Sequence, residues 1–159
     1  MSTFNDIDRI DRAILRELQK DGRMANVELS KRVGLSATPC LERVKRLEKN
    51  GYIKGYFARV APDKLKASLL VFVEITLSKT SPDVFDDFKK SVIDLAEVLE
   101  CHLVSGDFDY LVKARVADMV AYRKLLGETL LTLPGVSGSR TYVVMEEVKE
   151  ISTITIPDN

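Results

Sequence analysis

The sequence is poor in the residues that most often build metal sites and disulfides. Its 159 residues include two cysteines, Cys40 and Cys101, a single histidine, His102, and no tryptophan. A structural zinc site takes about four ligands, and here one histidine adjoins one cysteine without CxxC or HxxxH spacing. We therefore expect no metal site and no cofactor. In the absence of a secretion signal we also expect no disulfide framework.

Long apolar segments are also missing. No apolar run approaches the roughly 20 residues that span a bilayer. Residues 1–6 have no basic start followed by an apolar stretch, so they do not indicate a signal peptide. We expect a cytoplasmic protein without a membrane segment.

The patterns that usually carry catalysis are absent as well. No phosphate loop and no dinucleotide fingerprint occur. Ser105 has no suitable histidine base, because His102 lies three residues away on the same segment. Glu146 and Glu147 would point to opposite faces of a strand and could not act together. We expect that the protein is not an enzyme.

The charges are balanced in total but not along the chain. Of the 24 basic and 24 acidic residues, 13 and 8 lie in residues 1–60, and 11 and 16 lie in residues 61–159. The front part therefore carries +5 and the back part −5. This asymmetry suggests that the front part meets a polyanion, although five charges could also arise by chance.

The front part has apolar residues at helical spacing, and we place one domain at residues 1–60. Helices are predicted at about Asp8–Lys20, Asn26–Val33 and Ser36/Thr38–Asn50. Asn26 is the expected cap of the second helix, and Gly34 the turn that follows it. Val27, Leu29 and Val33 should pack the second helix, and Leu41, Val44 and Leu47 the third.

The second and third helices, about residues 26–45, form a helix-turn-helix candidate. The third helix divides into an apolar and a basic side, as a major-groove recognition helix requires. Arginines there can grip guanine or phosphate. A merely solvated basic face is the alternative, and Cys40 has either a packing role or a small contact at this end. The candidate DNA-binding residues are Ser36, Thr38, Pro39, Arg43, Lys45, Arg46 and Lys49.

The back part, residues 61–159, alternates strand-like and helix-like segments after the linker Val60–Lys64. Their order, β-α-β-β-α-β, predicts a ferredoxin-like domain, and the whole chain is assigned to the α+β class. The acidic tail Glu146–Asn159 either adds an edge strand or crosses to a partner. The predicted segments are Leu69–Leu77, Ser81–Leu95, Val98–Val104, Asp109–Val116, Asp118–Thr132 and Val136–Met145.

Five short motifs are spread over nearly the whole chain. They are Asp8–Leu15, Arg32–Ser36 and Thr38–Val44 in the front part, and Gly106–Tyr110 and Leu133–Val136 in the back part. In their residues and in their order they resemble the Lrp/AsnC family of transcription regulators. Departures are small: Ser30 stands where many helix-turn-helix proteins have alanine, and Ala37 stands where proline would also fit.

This resemblance implies a winged helix-turn-helix and an effector-binding domain. It further implies homodimers that assemble into a higher homo-oligomer, an octamer, with a small amino acid bound between dimers. We expect leucine or a similar apolar amino acid, and Asp107 or Asp109 as the acceptor for its ammonium. The positions that match the effector pocket are Leu103, Gly106, Asp107, Asp109, Met119, Tyr142, Val143 and Val144.

Each of these positions also has a structural explanation. Gly106-Asp107 is an ordinary hairpin turn in many proteins, and Met119, Val143 and Val144 would suit a core or a dimer interface. We expect a sequence-specific regulator, activator or repressor, that binds double-stranded DNA and controls amino-acid metabolism. The alternative is an amino-acid-sensing subunit that acts on a protein partner without binding DNA.

Overall fold

The computed structural model describes residues 7–157, so the observation on residues 1–6 lies outside the described residues. Two compact units are present. One contains the described residues up to Arg59 together with those from Lys149 onward, and the other is Val60–Val148. The sequence assigned residues 149–159 to the second domain. In the structure, the part of this tail that is described groups instead with the first unit.

Three helices build the first unit: α1 is Arg9–Lys20, α2 is Asn26–Arg32 and α3 is Ala37–Lys49. The α1 helix begins with a capping box, in which Asp8 accepts from the Asp11 backbone N–H at 2.8 Å and Asp11 accepts from the Asp8 N–H at 3.3 Å. This reciprocal pair satisfies two N–H groups that a helix start leaves without partners.

The core of this unit is small. Its fully buried apolar side chains are Ile14, Leu29, Cys40 and Leu47. Two predicted core residues were wrong: Val27 and Leu41 are 58 % and 42 % exposed. At 3.6 residues per turn, Leu41 lies about 120° from Leu47 around the helix axis, so Cys40 takes the core position.

The turn between α2 and α3 depends on Gly34, whose φ of +72° costs a residue without Cβ little strain. The prediction that Asn26 caps α2 was wrong, because Ala25 occupies the N-cap position. Asn26 Nδ2 instead donates to the carbonyl of Ala37 at 2.8 Å. This bond ties the first turn of α2 to the first turn of α3 and helps to fix their angle.

The tail, residues 149–157, contains neither helix nor strand. Arg16 Nη2 on α1 donates to the carbonyl of Ile156 at 2.8 Å. Arg59 Nη2 lies 2.9 Å from Glu150 Oε2, near the points where the chain enters and leaves this unit. The tail therefore packs against α1 rather than adding an edge strand.

The second unit begins with a 3₁₀ turn at Pro62–Leu65. The strands and helices that follow are β1 (Leu69–Leu77), α4 (Pro82–Ile93), β2 (Val98–Leu103), β3 (Tyr110–Val116), α5 (Met119–Lys124) and β4 (Val136–Val143). The four strands form an antiparallel sheet in the order β2-β3-β1-β4. This order is that of the predicted ferredoxin-like domain.

One face of the sheet forms the core of this unit. The alternation of β1 buries Val71, Val73, Ile75 and Leu77, as the sequence predicted. Buried residues of β3 lie beside them, and the Tyr110 ring stacks on Phe88 with 4.4 Å between centroids. The opposite face, which includes Glu74 and Tyr142, is more exposed.

The second predicted helix, Asp118–Thr132, is not continuous. After α5 the chain forms a π turn at Leu125–Thr129 and a 3₁₀ turn at Leu130–Thr132. Leu125 and Leu130 are both buried, although an α-helix would place them about 140° apart. The wider π turn brings them toward the same side, so core packing explains the departure.

Neither a membrane span nor a metal cluster is seen within residues 7–157. No helix there has the length and apolar character needed to cross a membrane. No group of three or more histidine, cysteine, aspartate or glutamate side chains there could hold a metal ion.

Candidate functional site

The exposed side of α3 carries three of the predicted DNA-binding residues, Thr38, Lys45 and Lys49. Within residues 7–157 neither lysine has an ion-pair partner. Glu42 lies among them and is also exposed. The sequence analysis passed over it, although a carboxylate on such a face can accept from the amino group of cytosine.

The start of α3 has a free polar group. Ser36 is the N-cap residue by backbone conformation, but its side chain makes no capping bond. Its exposed hydroxyl therefore remains available beside the first-turn N–H groups, which favour anions. Pro39 is half-buried in the first turn and donates no bond.

The two predicted leading contacts, Arg43 and Arg46, are engaged within the unit. Arg43 Nη1 donates to Asp8 Oδ2 at 2.6 Å and to Asp11 Oδ1 at 2.9 Å. Arg46 Nη2 donates to Asp11 Oδ2 at 2.6 Å. The capping-box spacing of the aspartates is visible in the sequence, but their pairing with α3 is not, because about 35 residues intervene.

Burial and charge distinguish the two arginines. The Arg43 side chain is 26 % exposed and the Arg46 side chain 51 % exposed, whereas Asp11 is buried. The bond from the Asp11 N–H, supported by Arg43, holds the pKa of Asp8 below its ordinary value. Hydrogen bonds to Asp8 and Asp11 in turn raise the pKa of Arg43. Arg43 therefore joins α3 to α1 rather than facing outward.

Cys40 has the packing role. Its side chain is completely buried in the first core. Burial raises the pKa of its thiol, so the neutral form predominates.

The eight predicted effector residues fall at two ends of the second unit. Leu103 aligns with Tyr110 and Ile75, whereas Val143 aligns with Val71 at the other end of β1. The residues aligned with Leu103 and those aligned with Val143 are about 13 Å apart along the strands. The strands that carry them, β2 and β4, are about 14 Å apart across the sheet. One chain therefore does not bring all eight together. Leu103, Gly106, Asp107 and Asp109 form one group, and Met119, Tyr142, Val143 and Val144 the other.

In the first group, the two aspartates differ. Asp109 Oδ2 accepts from the Leu77 backbone N–H at 2.7 Å, and its own N–H donates to the carbonyl of Ile75 at 3.0 Å. Asp109 therefore fixes the start of β3 to the end of β1 through two hydrogen bonds. Asp107 is exposed, and its side chain makes no hydrogen bond in the part of the chain that the structure describes. Gly106, at φ +150°, gives the loop a shape that other residues rarely adopt.

A cavity of about 240 Å³ lies beside Asp107 on the open face of the sheet. Glu74 of β1 and Arg140 of β4 also line it, with their charged atoms 3.9 Å apart. Carboxylates and a guanidinium together complement the ammonium and carboxylate of an amino acid. The sequence analysis did not select Glu74 or Arg140, although both alternate with inward residues of their strands.

Three of the four residues of the second group are exposed in the single chain, and Val144 is half-buried. Met119, Tyr142 and Val143 are 48 %, 45 % and 42 % exposed, so they are not part of the core of this unit. The Tyr142 hydroxyl donates to Glu74 at 2.9 Å. The N–H of Val144 donates to the carbonyl of Leu70 at 3.0 Å and fixes the chain that leaves β4.

Two family profiles match the chain, and together they cover most of it. Residues 7–54 match a winged helix-turn-helix DNA-binding domain. Residues 70–154 match the Lrp/AsnC ligand-binding domain. The first range contains the α3 face, and the second contains both groups of predicted effector residues.

Curated relatives agree with these profiles. The leucine-responsive regulatory proteins of Klebsiella pneumoniae and Escherichia coli K12 are each 70 % identical to the chain over 151 residues. Each alignment covers 95 % of this chain and 92 % of the relative.

Solved structures show the same architecture. A transcriptional regulator from Neisseria meningitidis in complex with L-methionine has 38 % identity and a TM-score of 0.89, with 94 % of this chain and 96 % of that one covered. A feast or famine regulatory protein from M. tuberculosis, also complexed with L-methionine, has 35 % identity and a TM-score of 0.85. That match covers 94 % of this chain and 99 % of the other.

Proposed function

Since this chain belongs to the Lrp/AsnC family of transcription regulators, we propose that it activates or represses genes of amino-acid metabolism. In this proposal, α3 of the first unit enters the major groove of double-stranded DNA, and a small amino acid bound to the second unit changes that binding. The chain is a transcription regulator and not an enzyme.

The observation that carries the DNA contact is the unpaired basic face of α3. Lys45 and Lys49 are exposed and have no acidic partner within residues 7–157, so their charges are free to meet phosphates. Thr38 and Ser36 lie at the N-terminal end of α3, where the Ser36 hydroxyl makes no capping bond. In this proposal both supply short polar contacts to DNA. Arg46 borders this face and bonds to Asp11. Arg43 joins α3 to the start of α1 through its bonds to Asp8 and Asp11.

The test of this face is the double substitution Lys45→Gln/Lys49→Gln. Each phosphate contact that is lost reduces the slope of log affinity against log salt by about 0.9, so both together should reduce it by about 2. Binding to duplex DNA is measured by fluorescence anisotropy between low and moderate salt. Lys89→Gln/Lys90→Gln removes the same charge from an exposed part of α4 and should leave the slope unchanged. Equal slopes for all three proteins would contradict this placement.

The proposed effector is leucine or a similar apolar amino acid. The support is the L-methionine in two structural relatives and the name of the curated relatives. The structure favours Asp107 over Asp109 for the ammonium, because Asp109 already accepts from the Leu77 N–H. Arg140 is placed to bind the carboxylate from the same cavity.

We further propose a homodimer that assembles into a higher homo-oligomer, an octamer, with the effector between dimers. Leu103 and Val143 lie at opposite ends of the sheet, so a pocket that uses both needs residues of two subunits. Met145 and Val148 are 99 % and 87 % exposed, which is apolar surface that association would bury. Paired recognition helices about 34 Å apart would then favour a pseudo-palindromic operator.

The regulatory subunit without DNA binding, which the sequence left open, is set aside, because the family and the relatives are transcription regulators. The proposed location is the cytoplasm, in association with the nucleoid.

A further inference from the structure

The Asp11 carboxylate accepts from two arginines of α3. It lies in the first turn of α1 and is completely buried. Its Oδ1 accepts from Arg43 and its Oδ2 from Arg46. A buried carboxylate is stable only when it is paired in this way, so the position of Asp11 dictates where the two guanidinium groups lie.

The two arginines use their donors differently. Arg43 directs Nη1 to both Asp8 and Asp11 and is mostly buried. Arg46 uses Nη2 alone and stays half exposed. Its Nη1, its Nε and the second hydrogen of Nη2 have no hydrogen-bond partner among residues 7–157, so one two-donor edge of the guanidinium, formed by Nη2 with either Nε or Nη1, remains free.

The Arg46 side chain borders the exposed side of α3. On a helix, Arg46 neighbours Glu42 and Lys49, which lie four residues before it and three after it. Both are exposed. A guanidinium has five N–H donors in a fixed planar fork. Arg46 donates one of them to Asp11, and two of the others can make a bidentate contact with guanine O6 and N7.

We propose that Asp11 is a positioning residue for base recognition, which holds Arg46 so that its free edge makes a bidentate contact with guanine in the major groove. This inference rests on the proposed function, in which the exposed side of α3 meets DNA. A free arginine side chain adapts to phosphates or to different bases through its many rotamers. An arginine anchored to a buried acid keeps one plane, so a wrong base leaves its donors unpaired.

Lys45 and Lys49 have the complementary role. They are flexible point charges without an anchor in the described residues, so they contribute to affinity for any sequence. Arg46 has part of its charge balanced by Asp11, so it adds less to affinity and more to discrimination. Affinity and base preference should therefore respond to different substitutions.

The test compares base preferences, because a purely structural role of Asp11 would not change them selectively. The full chain and its variants each select from a randomised duplex library, and the bound DNA is sequenced. In Asp11→Asn, an NH2 group replaces one carboxylate oxygen and cannot accept a hydrogen bond from arginine. We expect preference for guanine at the position that Arg46 contacts to fall by about tenfold, while affinity for unselected duplex stays within about twofold.

Two further variants make the result specific. Arg46→Lys keeps the charge but not the planar fork, and it should lose guanine preference at the same position as Asp11→Asn. It leaves Asp11 paired with Arg43, so a wild-type preference in Arg46→Lys overturns the proposal even if Asp11→Asn does not fold. Of the two arginines, the Asp8 carboxylate contacts only Arg43, and asparagine remains a good helix cap. Asp8→Asn should therefore select the wild-type sequence.

The outcomes separate this inference from the proposed function. Loss at one shared position in Asp11→Asn and Arg46→Lys supports the role of Asp11. A wild-type preference in folded Asp11→Asn, or in Arg46→Lys, overturns it while DNA binding stands. If the wild-type chain binds no duplex DNA at all, both the proposed function and this inference fail.

Discussion

Gln19 and Ile154, 135 residues apart in the chain, exchange two hydrogen bonds. The Gln19 Nε2 donates to the carbonyl of Ile154 at 3.0 Å, and the Ile154 N–H donates to Gln19 Oε1 at 2.8 Å. The amide side chain thus pairs with the tail as a neighbouring strand would. Together with the bond from Arg16 to Ile156, it holds the end of the tail on α1.

Replacing Gln19 should release the tail locally. In Gln19→Ala both bonds are lost, and since each exposed bond contributes about 0.5–1 kcal/mol, the free energy of unfolding of the first unit should fall by about 1 kcal/mol. Urea denaturation measures this loss, and hydrogen exchange at the Ile154 amide should become faster. Gln19→Glu keeps an acceptor for the Ile154 amide, so its stability and its exchange rate should lie between those of wild type and Gln19→Ala. Unchanged exchange in Gln19→Ala would rule out the pairing in solution.

Acid should remove the contribution of Asp8. Its pKa lies below the ordinary value, chiefly because it accepts from the Asp11 N–H, with Arg43 adding to the effect. A lowered folded-state pKa stabilises the fold above the unfolded-state pKa, and this stabilisation is lost as pH falls through the folded-state pKa. Since Asp8 is half exposed, solvent screening should keep its contribution under about 1 kcal/mol.

The measurement is the difference in free energy of unfolding between wild type and Asp8→Asn across pH. The difference should be constant above the ordinary pKa of 3.8 and should shrink below it. Asparagine is an equally good N-cap residue, so the capping bond is preserved, and the variant tests the charge together with the bond that it accepts from Arg43. A difference that stays the same from neutral pH down to full protonation would contradict the role of the Asp8 charge.

The sequence predicted local features best where one period dominates. The strand Leu69–Leu77 was predicted with its correct bounds, because alternate side chains enter one core. Helix periodicity likewise placed α1 and α3 within a residue or two. The break at Leu125 was missed, since only tertiary packing favours the π turn there.

Contacts between distant segments could not be predicted from the periodicity of apolar residues. The sequence left two roles open for the tail, an edge strand or a crossing to a partner, and nothing in it identified Gln19 as the partner of Ile154. The same holds for the candidate site. Basic residues on α3 were visible in the sequence. Only the fold shows that Arg43 pairs with Asp8 and Asp11, whereas Lys45 and Lys49 have no acidic partner among residues 7–157.

Asp109 should prove to be a structural residue. Because its carboxylate accepts from the Leu77 N–H, Asp109→Ala should lower the free energy of unfolding of the second unit by about 2 kcal/mol, as for a hydrogen bond to a charged group. Asp109→Asn still offers an acceptor and should lose less. Thermal and urea unfolding of both variants measure this. Equal stability of wild type and Asp109→Ala would return Asp109 to the list of effector ligands.

Asp107 should instead affect the effector. It is exposed and makes no hydrogen bond within the described residues, so Asp107→Asn should leave stability unchanged. Calorimetric titration of the full chain with L-leucine and L-methionine should show about tenfold weaker binding, because a charge-assisted bond to the ammonium is lost. Asp94→Asn, another exposed acid of the second unit, serves as the control and should bind as wild type does.

The partner of Asp107 can be identified with a ligand that lacks the ammonium. The wild-type chain should bind 4-methylpentanoate, which is leucine without its amino group, more weakly than leucine. If Asp107 contacts the ammonium, Asp107→Asn should weaken leucine binding but should not weaken 4-methylpentanoate binding further, since the two losses concern one interaction. Independent, additive losses would show that Asp107 acts elsewhere, and the acceptor would then be sought at Glu74, which lines the same cavity.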